Sequence, residues 1–227
     1  MKITYYGHSC LLVEDNGASV IIDPFLSGNA SSGIAPEDIQ VDAVILTHAH
    51  DDHFGDTISI AKRNDCPVIA VFELANYCAS QGVKSEAVNI GGSREFNGFK
   101  VKYTQAFHSS SISAGDTWIY AGQPAGVLLT MGGKTLYHAG DTSLFGDMRL
   151  IGEMNSIDCA ALPIGDSFTM GPDDALLAAQ WIRTKKIIPV HYDTFPVIKQ
   201  DPRAFCERLS QTGVEGYPLK PGESVEL

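Results

Sequence analysis

The chain has 227 residues, 44% of them hydrophobic, enough to bury a sizeable core within one domain spanning 1–227. Lys and Arg total 16 against 27 Asp and Glu, and the formal net charge of −11 argues against an extended nucleic-acid-binding face. No apolar run approaches the ~20 residues of a membrane span, and the five cysteines contain no CxxC pair, which fits a reducing cytoplasm better than a disulfide framework.

In chain order, strands are expected at 2–6, 10–14 and 19–22, the last two joined by the Asp15-Asn16-Gly17 turn. The N-terminus thus reads as a strand and not as a signal peptide. Segment 27–36 is rich in Gly, Ser and Asn and reads as a loop. The apolar run 41–46 is a strand that feeds Thr47-His48-Ala49-His50-Asp51-Asp52-His53-Phe54-Gly55-Asp56. A helix is expected at 56–63, a strand at 67–71, and a helix at 73–81 that Gly82 stops. Short strands follow at 87–90, 99–106, 118–120, 126–130 and 134–138.

Late in the chain, 159–164 reads as a buried strand. Pro172-Asp173-Asp174 opens a helix that runs through Trp181 and Arg183, because Pro suits the first helical position and acids the first turn. Within it, Leu177 and Trp181 sit at helical spacing and read as core. Segment 187–190 is another buried strand, Asp201-Pro202 opens the last helix, and 223–227 closes as a strand. Strands in antiparallel groups with helices between them indicate stacked sheets covered by helices, an α+β fold.

The 47–56 stretch holds the chemistry. His48-x-His50-x-Asp52-His53 sets three imidazoles and a carboxylate within six positions at the end of an apolar strand. Such a knot is a poor way to build a core and a good way to hold a divalent cation, since zinc, manganese, iron and nickel all accept these donors. A solvated polar loop is the bland alternative, and the spacing and strand context count against it. His108, Asp141 and His191 also follow apolar strands. Strand ends are where a site gathers residues from distant positions.

Other residues are less specific. His8 reads equally as a substrate contact, a support for a ligand, or a turn histidine. His138 reads as structural or supporting. Asp51 is not expected to be a ligand. Asp56 reads as a helix N-cap or as a hydrogen-bond partner of a ligand imidazole. Thr142 could orient Asp141, Phe168 and Met170 could wall a pocket, and Ser109-Ser110-Ser111 could supply pocket hydroxyls or form a polar loop.

Taken with Gly7-His8-Ser9, Ile22-Asp23-Pro24-Phe25, Ala106-Phe107-His108-Ser109-Ser110-Ser111, His138-Ala139-Gly140-Asp141-Thr142, Leu162-Pro163-Ile164-Gly165-Asp166, Phe168-Thr169-Met170-Gly171-Pro172 and Pro189-Val190-His191-Tyr192-Asp193-Thr194-Phe195-Pro196, this set resembles the metal ligands of the metallo-β-lactamase superfamily. The likeness is to its small bacterial and archaeal metal-dependent hydrolases, relatives of the ascorbate-6-phosphate lactonases, and it covers essentially the whole chain. It implies a four-layer αββα sandwich with the site at one edge of the two sheets. It implies two divalent metal ions (zinc, manganese, nickel or iron), the first held by His48, His50 and His108, the second by Asp52, His53 and His191, with Asp141 between them. Asp52 and Asp141 would be the catalytic carboxylates. A hydroxide between metals ~3.5–4 Å apart would attack an ester, lactone, thioester or phosphodiester of a small metabolite, and the helix near Asp56 would point its positive end at the site.

Two competing readings remain. One is a redox enzyme: the diiron oxygen reducers carry a carboxylate where His50 stands, which counts against that version, whereas His48, His50 and His108 could hold one iron in a dioxygenase. A non-catalytic metal-binding protein is the other, and the complete set of seven ligand-type residues counts against it. The expected partner is a small-molecule substrate, with no membrane and no nucleic acid, and a homo-oligomer by analogy with the lactonases. The general acid is not identified by the sequence.

Overall fold

Asn16 and Gly17 both take positive φ, 46° and 84°, and turn β2 (Leu11–Asp15) directly into β3 (Ala18–Ile22). In the computed structural model, which describes residues 1–227, this hairpin is extended by β1 (Lys2–Tyr5) and by the C-terminal strand β16 (Ser224–Glu226). On its other side β3 pairs in parallel with β4 (Ala43–Ile45), and β5 (Val68–Ala70) and β6 (Ser85–Ala87) continue in parallel. Parallel neighbours need long crossovers. After the single helical turn α1 (Asp51–Phe54), the helices α2 (Thr57–Asn64) and α3 (Phe72–Ser80) supply them.

The second sheet repeats the plan. Its strands are β7 (Ser93–Phe96), β8 (Phe99–Gln105), β11 (Ala125–Met131), β12 (Lys134–His138), β13 (Cys159–Pro163), β14 (Lys186–Val190) and β15 (Glu215–Gly216). The order is β15-β14-β13-β12-β11-β8-β7, antiparallel from β7 to β12 and parallel beyond. Helices α4 (Met148–Met154), α5 (Pro172–Trp181) and α6 (Pro202–Ser210) make the crossovers. Strands β9 (Ser111–Ala114) and β10 (Thr117–Tyr120) form a separate hairpin.

Period-two alternation sorts the side chains into layers. Val127 and Leu129 join a core shared with Val13, Val20 and Ile45 of the first sheet, whereas Leu128 between them packs with α5 and α6 residues such as Ala178 and Phe205. Cys159 and Ala161 likewise face the shared core, and Ala160 and Leu162 the helices. Ile60 of α2 and Leu74 of α3 cover the other sheet. The result is a four-layer αββα sandwich. No helix is long and apolar enough to cross a membrane.

Several expectations need correction. The sheets are mixed, not built of antiparallel groups alone, because β4–β6 and β13–β15 are linked by crossovers. The strand expected at 87–90 lies earlier, at β6, and α4, β7, β9 and β15 have no counterpart among the expected elements. α4 carries Gly152, where an added Cβ would meet Trp181 O at 2.5 Å, so this glycine lets α4 lie against the end of α5. In α5 the buried face is Ala175, Ala178 and Ala179; Leu177 is exposed, and Trp181 lies beneath the Arg149 guanidinium at 4.2 Å. Small residues let that helix approach β13 closely.

Tyr103 ties the two sheets together, its buried hydroxyl lying 2.9 Å from both Leu46 O and Ile69 O. Tyr103→Phe keeps the ring and strips the hydroxyl. We expect it to lower unfolding free energy by about 1–2 kcal/mol in urea denaturation with an unchanged m-value.

Candidate metal centre

Six chain segments end at one edge of the sandwich. β1 leads to His8, β3 to Asp23, β4 to Thr47 and His48, β8 to His108, β12 to Asp141 and β14 to His191. Three of these residues sit in the left-handed region, His8 at φ 54°, Asp23 at 48° and His191 at 55°. Non-glycine residues there cost on the order of 1–3 kcal/mol and persist only where the surroundings impose them. The restraint is visible: His191 N donates to His8 O at 2.7 Å, which couples two of the three turns. Gly140 places Asp141; at φ 62° its missing Cβ would meet Ala125 O at 2.8 Å and Thr47 Cβ at 2.9 Å.

Asp23 organises the floor. It is fully buried and accepts from Thr47 N at 2.8 Å, Thr47 Oγ1 at 2.6 Å and His53 Nδ1 at 2.7 Å. Because the Thr47 hydroxyl donates to Asp23, it must accept from His48 Nδ1, 3.0 Å away. One carboxylate therefore places a proton on Nδ1 of both His48 and His53 and turns their Nε2 atoms toward the site.

Asp141 stands in the middle. Its Oδ2 lies 3.0 Å from His191 Nε2, 3.6 Å from His108 Nε2 and 4.0 Å from His48 Nε2, and its Oδ1 lies 3.3 Å from His53 Nε2. On one side, ligand atoms of His48, His50 and His108 lie within 4.8 Å of one another, with His48 Nε2 and His50 Nδ1 3.0 Å apart. On the other, His8, Asp52, His53 and His191 form a second such group, and Asp23, His48 and His53 a third.

The donors fit divalent cations. All are imidazole nitrogens or carboxylate oxygens. His53 Nε2 and Asp141 Oδ1 are buried with no hydrogen-bond partner, a costly state unless another group satisfies them. Burial pushes His48, His50 and His108 below the ordinary imidazole value, which keeps their lone pairs free. His53 is the exception: burial opposes its charge, but Asp141 and Asp23 outweigh it and hold it well above 6.5. Asp141 is held low against burial by His191 and His53, and Asp52 by its hydrogen bond to His8 and the charge of His53.

His8 is drawn into this cluster. Burial lowers it to about 4, so it is neutral near pH 7. Its Nε2–H donates to Asp52 Oδ2 at 3.1 Å and its Nδ1 accepts from the Thr194 hydroxyl at 2.9 Å. His138 stays outside: its Nε2–H donates to Ser9 O at 2.8 Å and its Nδ1 accepts from Gly140 N.

Four expected roles are not seen. Asp56 occupies the N-cap position of α2, but its side chain makes no cap bond and touches no imidazole; it accepts from Leu26 N at 2.9 Å, Ser27 N at 2.8 Å and Ser27 Oγ at 2.6 Å, fixing the 26–27 loop. Thr142 Oγ1 accepts from Phe107 N and donates to Ser143 O, and so does not orient Asp141. Met170 is buried in the outer core with Ala139 and Ile164, and Phe168 projects into solvent. The helix opening at the cluster is the single turn α1, with His50 at its N-cap, and not the longer α2. Of the serines, Ser110 Oγ accepts from Ala49 N, Ser109 Oγ lies 3.4 Å from His50 Nε2, and Ser111 lines a cleft of about 540 Å³ that opens over His50 and Asp52.

A family profile described as a beta-lactamase superfamily domain matches residues 2–191. A "UPF0173 metal-dependent hydrolase" of Bacillus pumilus is 57% identical over 229 residues, and one of Geobacillus thermodenitrificans 55% over 228, each covering 100% of both chains. The solved structure of Igni18, described as a novel metallo hydrolase from the hyperthermophilic archaeon Ignicoccus hospitalis, is 36% identical, with a TM-score of 0.90 over 99% of this chain and 97% of that one. The chain is thus a metallo-β-lactamase superfamily enzyme. Within that class it belongs to the UPF0173 family of metal-dependent hydrolases.

The pH dependence of the metal-stripped protein follows from burial. His8, His48, His50, His108 and His138 are all lowered in the fold, so below about 6.5 the unfolded chain binds more protons and stability falls with falling pH. His53 has the opposite sign, adding stability at low pH that is lost as pH rises through its folded value. Asp52 and Asp141 add losses only below about 4. Five groups against one predict a urea midpoint that drops between pH 7 and pH 5 after chelation, and a flat midpoint would contradict this electrostatic picture.

Proposed function

We propose that the chain is a dinuclear metal hydrolase that cleaves an ester, lactone or phosphodiester of a small metabolite. The observation that supports this most is the position of Asp141, whose carboxylate separates two groups of imidazoles and reaches both. His48, His50 and His108 would hold one cation, Asp52, His53 and His191 the other, and Asp141 would serve both. When bound, the cations would supply Lewis acidity, giving hydroxide from water at neutral pH and neutralising a developing oxyanion.

The chain's own residues have separate tasks. Asp23, with Thr47 as relay, keeps the protons of His48 and His53 on Nδ1. Neutral His8 holds Asp52 from behind. Asp52 and Asp141, both ionised, contribute the negative charge that two adjacent cations need. The net charge of −11 and the small cleft favour a small-molecule partner over nucleic acid. Five buried free cysteines support a reducing, cytoplasmic setting. Assembly into a homo-oligomer belongs to the same proposal, through the lactonase analogy alone.

Protein purified without chelator and screened against esters, lactones and phosphodiesters should hydrolyse at least one class. Dialysis against a chelator should abolish turnover, and zinc, manganese or nickel should restore it. Asp141→Ala should lower kcat/KM about 1000-fold or more, ~4 kcal/mol of transition-state stabilisation. Activity that survives both treatments would refute the metal mechanism. Asp23→Asn, which removes the acceptor for Thr47 and His53, should weaken metal affinity about 10–100-fold, read by competition with a chromophoric chelator.

A further inference from the structure

The cleft over His50 and Asp52 is walled by three aromatic side chains from three separate segments: Phe25 after β3, Trp118 on β10 and Phe195 after β14. Its volume, about 540 Å³, lies within the range of small-molecule sites. Two of the walls are held in place. Phe25 and Phe195 stand 6.4 Å apart at 42°, and each sets an edge contact on the His8 ring, at 5.6 and 5.7 Å. Their geometry is thereby tied to the group that holds Asp52.

The third wall is of a different kind. Trp118 is 68% exposed, on a hairpin whose strands pair only with each other. An aromatic side chain buries 150–250 Å² when covered. A tryptophan left open above a reactive centre, opposite two fixed phenyl rings, leaves that area available to a ligand. The remaining lining is polar, His50 and Asp52 from the metal groups together with Asp51 and Ser111. Three aromatic rings thus share the opening with the metal-group residues and two further polar side chains.

We propose that Phe25, Trp118 and Phe195 form a subsite for a flat apolar group, an aryl or arylalkyl substituent, that lies next to the bond being hydrolysed. Trp118 and Phe195 are then specificity-determining residues, and the substrate is a small compound with an aromatic ring close to its ester or related linkage. This inference rests on the hydrolase reading above for the nature of the bond, but ring recognition is measurable without turnover.

The chain has two tryptophans. In a Trp181→Phe background Trp118 becomes the sole emitter, at a site removed from the cleft lining. In metal-loaded protein, N-benzylacetamide should shift and quench its emission saturably, while N-ethylacetamide at equal concentration should not. Phe195→Leu should weaken the benzyl compound about fivefold and Phe195→Ala about tenfold. In hydrolysis, benzyl acetate should exceed ethyl acetate in kcat/KM about tenfold or more through a lower KM, and Trp118→Ala should remove that preference. Equal responses to the two amides, or no response, would overturn the subsite even if both esters were hydrolysed. A saturable benzyl response with neither ester hydrolysed would uphold the subsite and count against the hydrolase reading.

Discussion

A buried carboxylate among imidazoles sets the terms for this fold. Asp141 is 3% exposed and has four imidazole nitrogens within 4.0 Å. An ionised group in that position is costly unless polar or charged partners surround it. The strand ends bring polar partners to it from separate parts of the chain: His48 and His53 from the β4–α1 segment, His108 after β8 and His191 after β14. Gly140 lets Asp141 enter the space between the sheets, since any side chain there would strike Ala125 and Thr47. The two sheets must therefore pack in one register for the centre to exist, and Tyr103 bridging to Leu46 and Ile69 is part of what fixes that register.

Around this point the structure stores strain and fixes protons. His8, Asp23 and His191 share the left-handed conformation that ordinary residues avoid. Each is anchored by hydrogen bonds: His191 N to His8 O, His8 Nε2 to Asp52, and Asp23 to Thr47 and His53. Strain of this kind at one sheet edge is what a pre-organised site requires, since donors already in place need no rearrangement when a cation arrives. Asp23 extends the same logic to protons, because its contacts decide which nitrogen of His48 and His53 carries hydrogen.

The sequence was most legible where chemistry was local. The histidines between 48 and 53 stand out by spacing alone, and the strand before them is a plain apolar run. The long strands near 99–106, 126–130 and 134–138 were readable because alternation and turn glycines mark them. What depended on distant contacts was not. Asp23 lies in Ile22-Asp23-Pro24, which reads as a strand end and a turn; the same pattern of an apolar strand followed by an ionisable residue was a usable signal for it. Asp56 stands at the N-cap of α2, as Asp before a helix usually does, but the loop at Leu26 and Ser27, which the sequence does not announce, takes its side-chain oxygens. Met170 and Phe168 differ by two positions and have opposite fates, one in the outer core and one in solvent, which loop geometry alone decides. Parallel pairing of β4–β6 and β13–β15 was likewise hidden, since register between crossovers is set by packing and not by the strands themselves.

The most direct test of a two-cation centre built on Asp141 is X-ray absorption at the metal edge of the reconstituted protein, wild type against Asp141→Ala. The account predicts a metal–metal scattering shell at about 3.5–4 Å in the wild type, in a nitrogen- and oxygen-rich environment, and loss of that shell in the variant. A wild-type spectrum with a full ligand shell but no metal–metal vector, unchanged by the substitution, would contradict it.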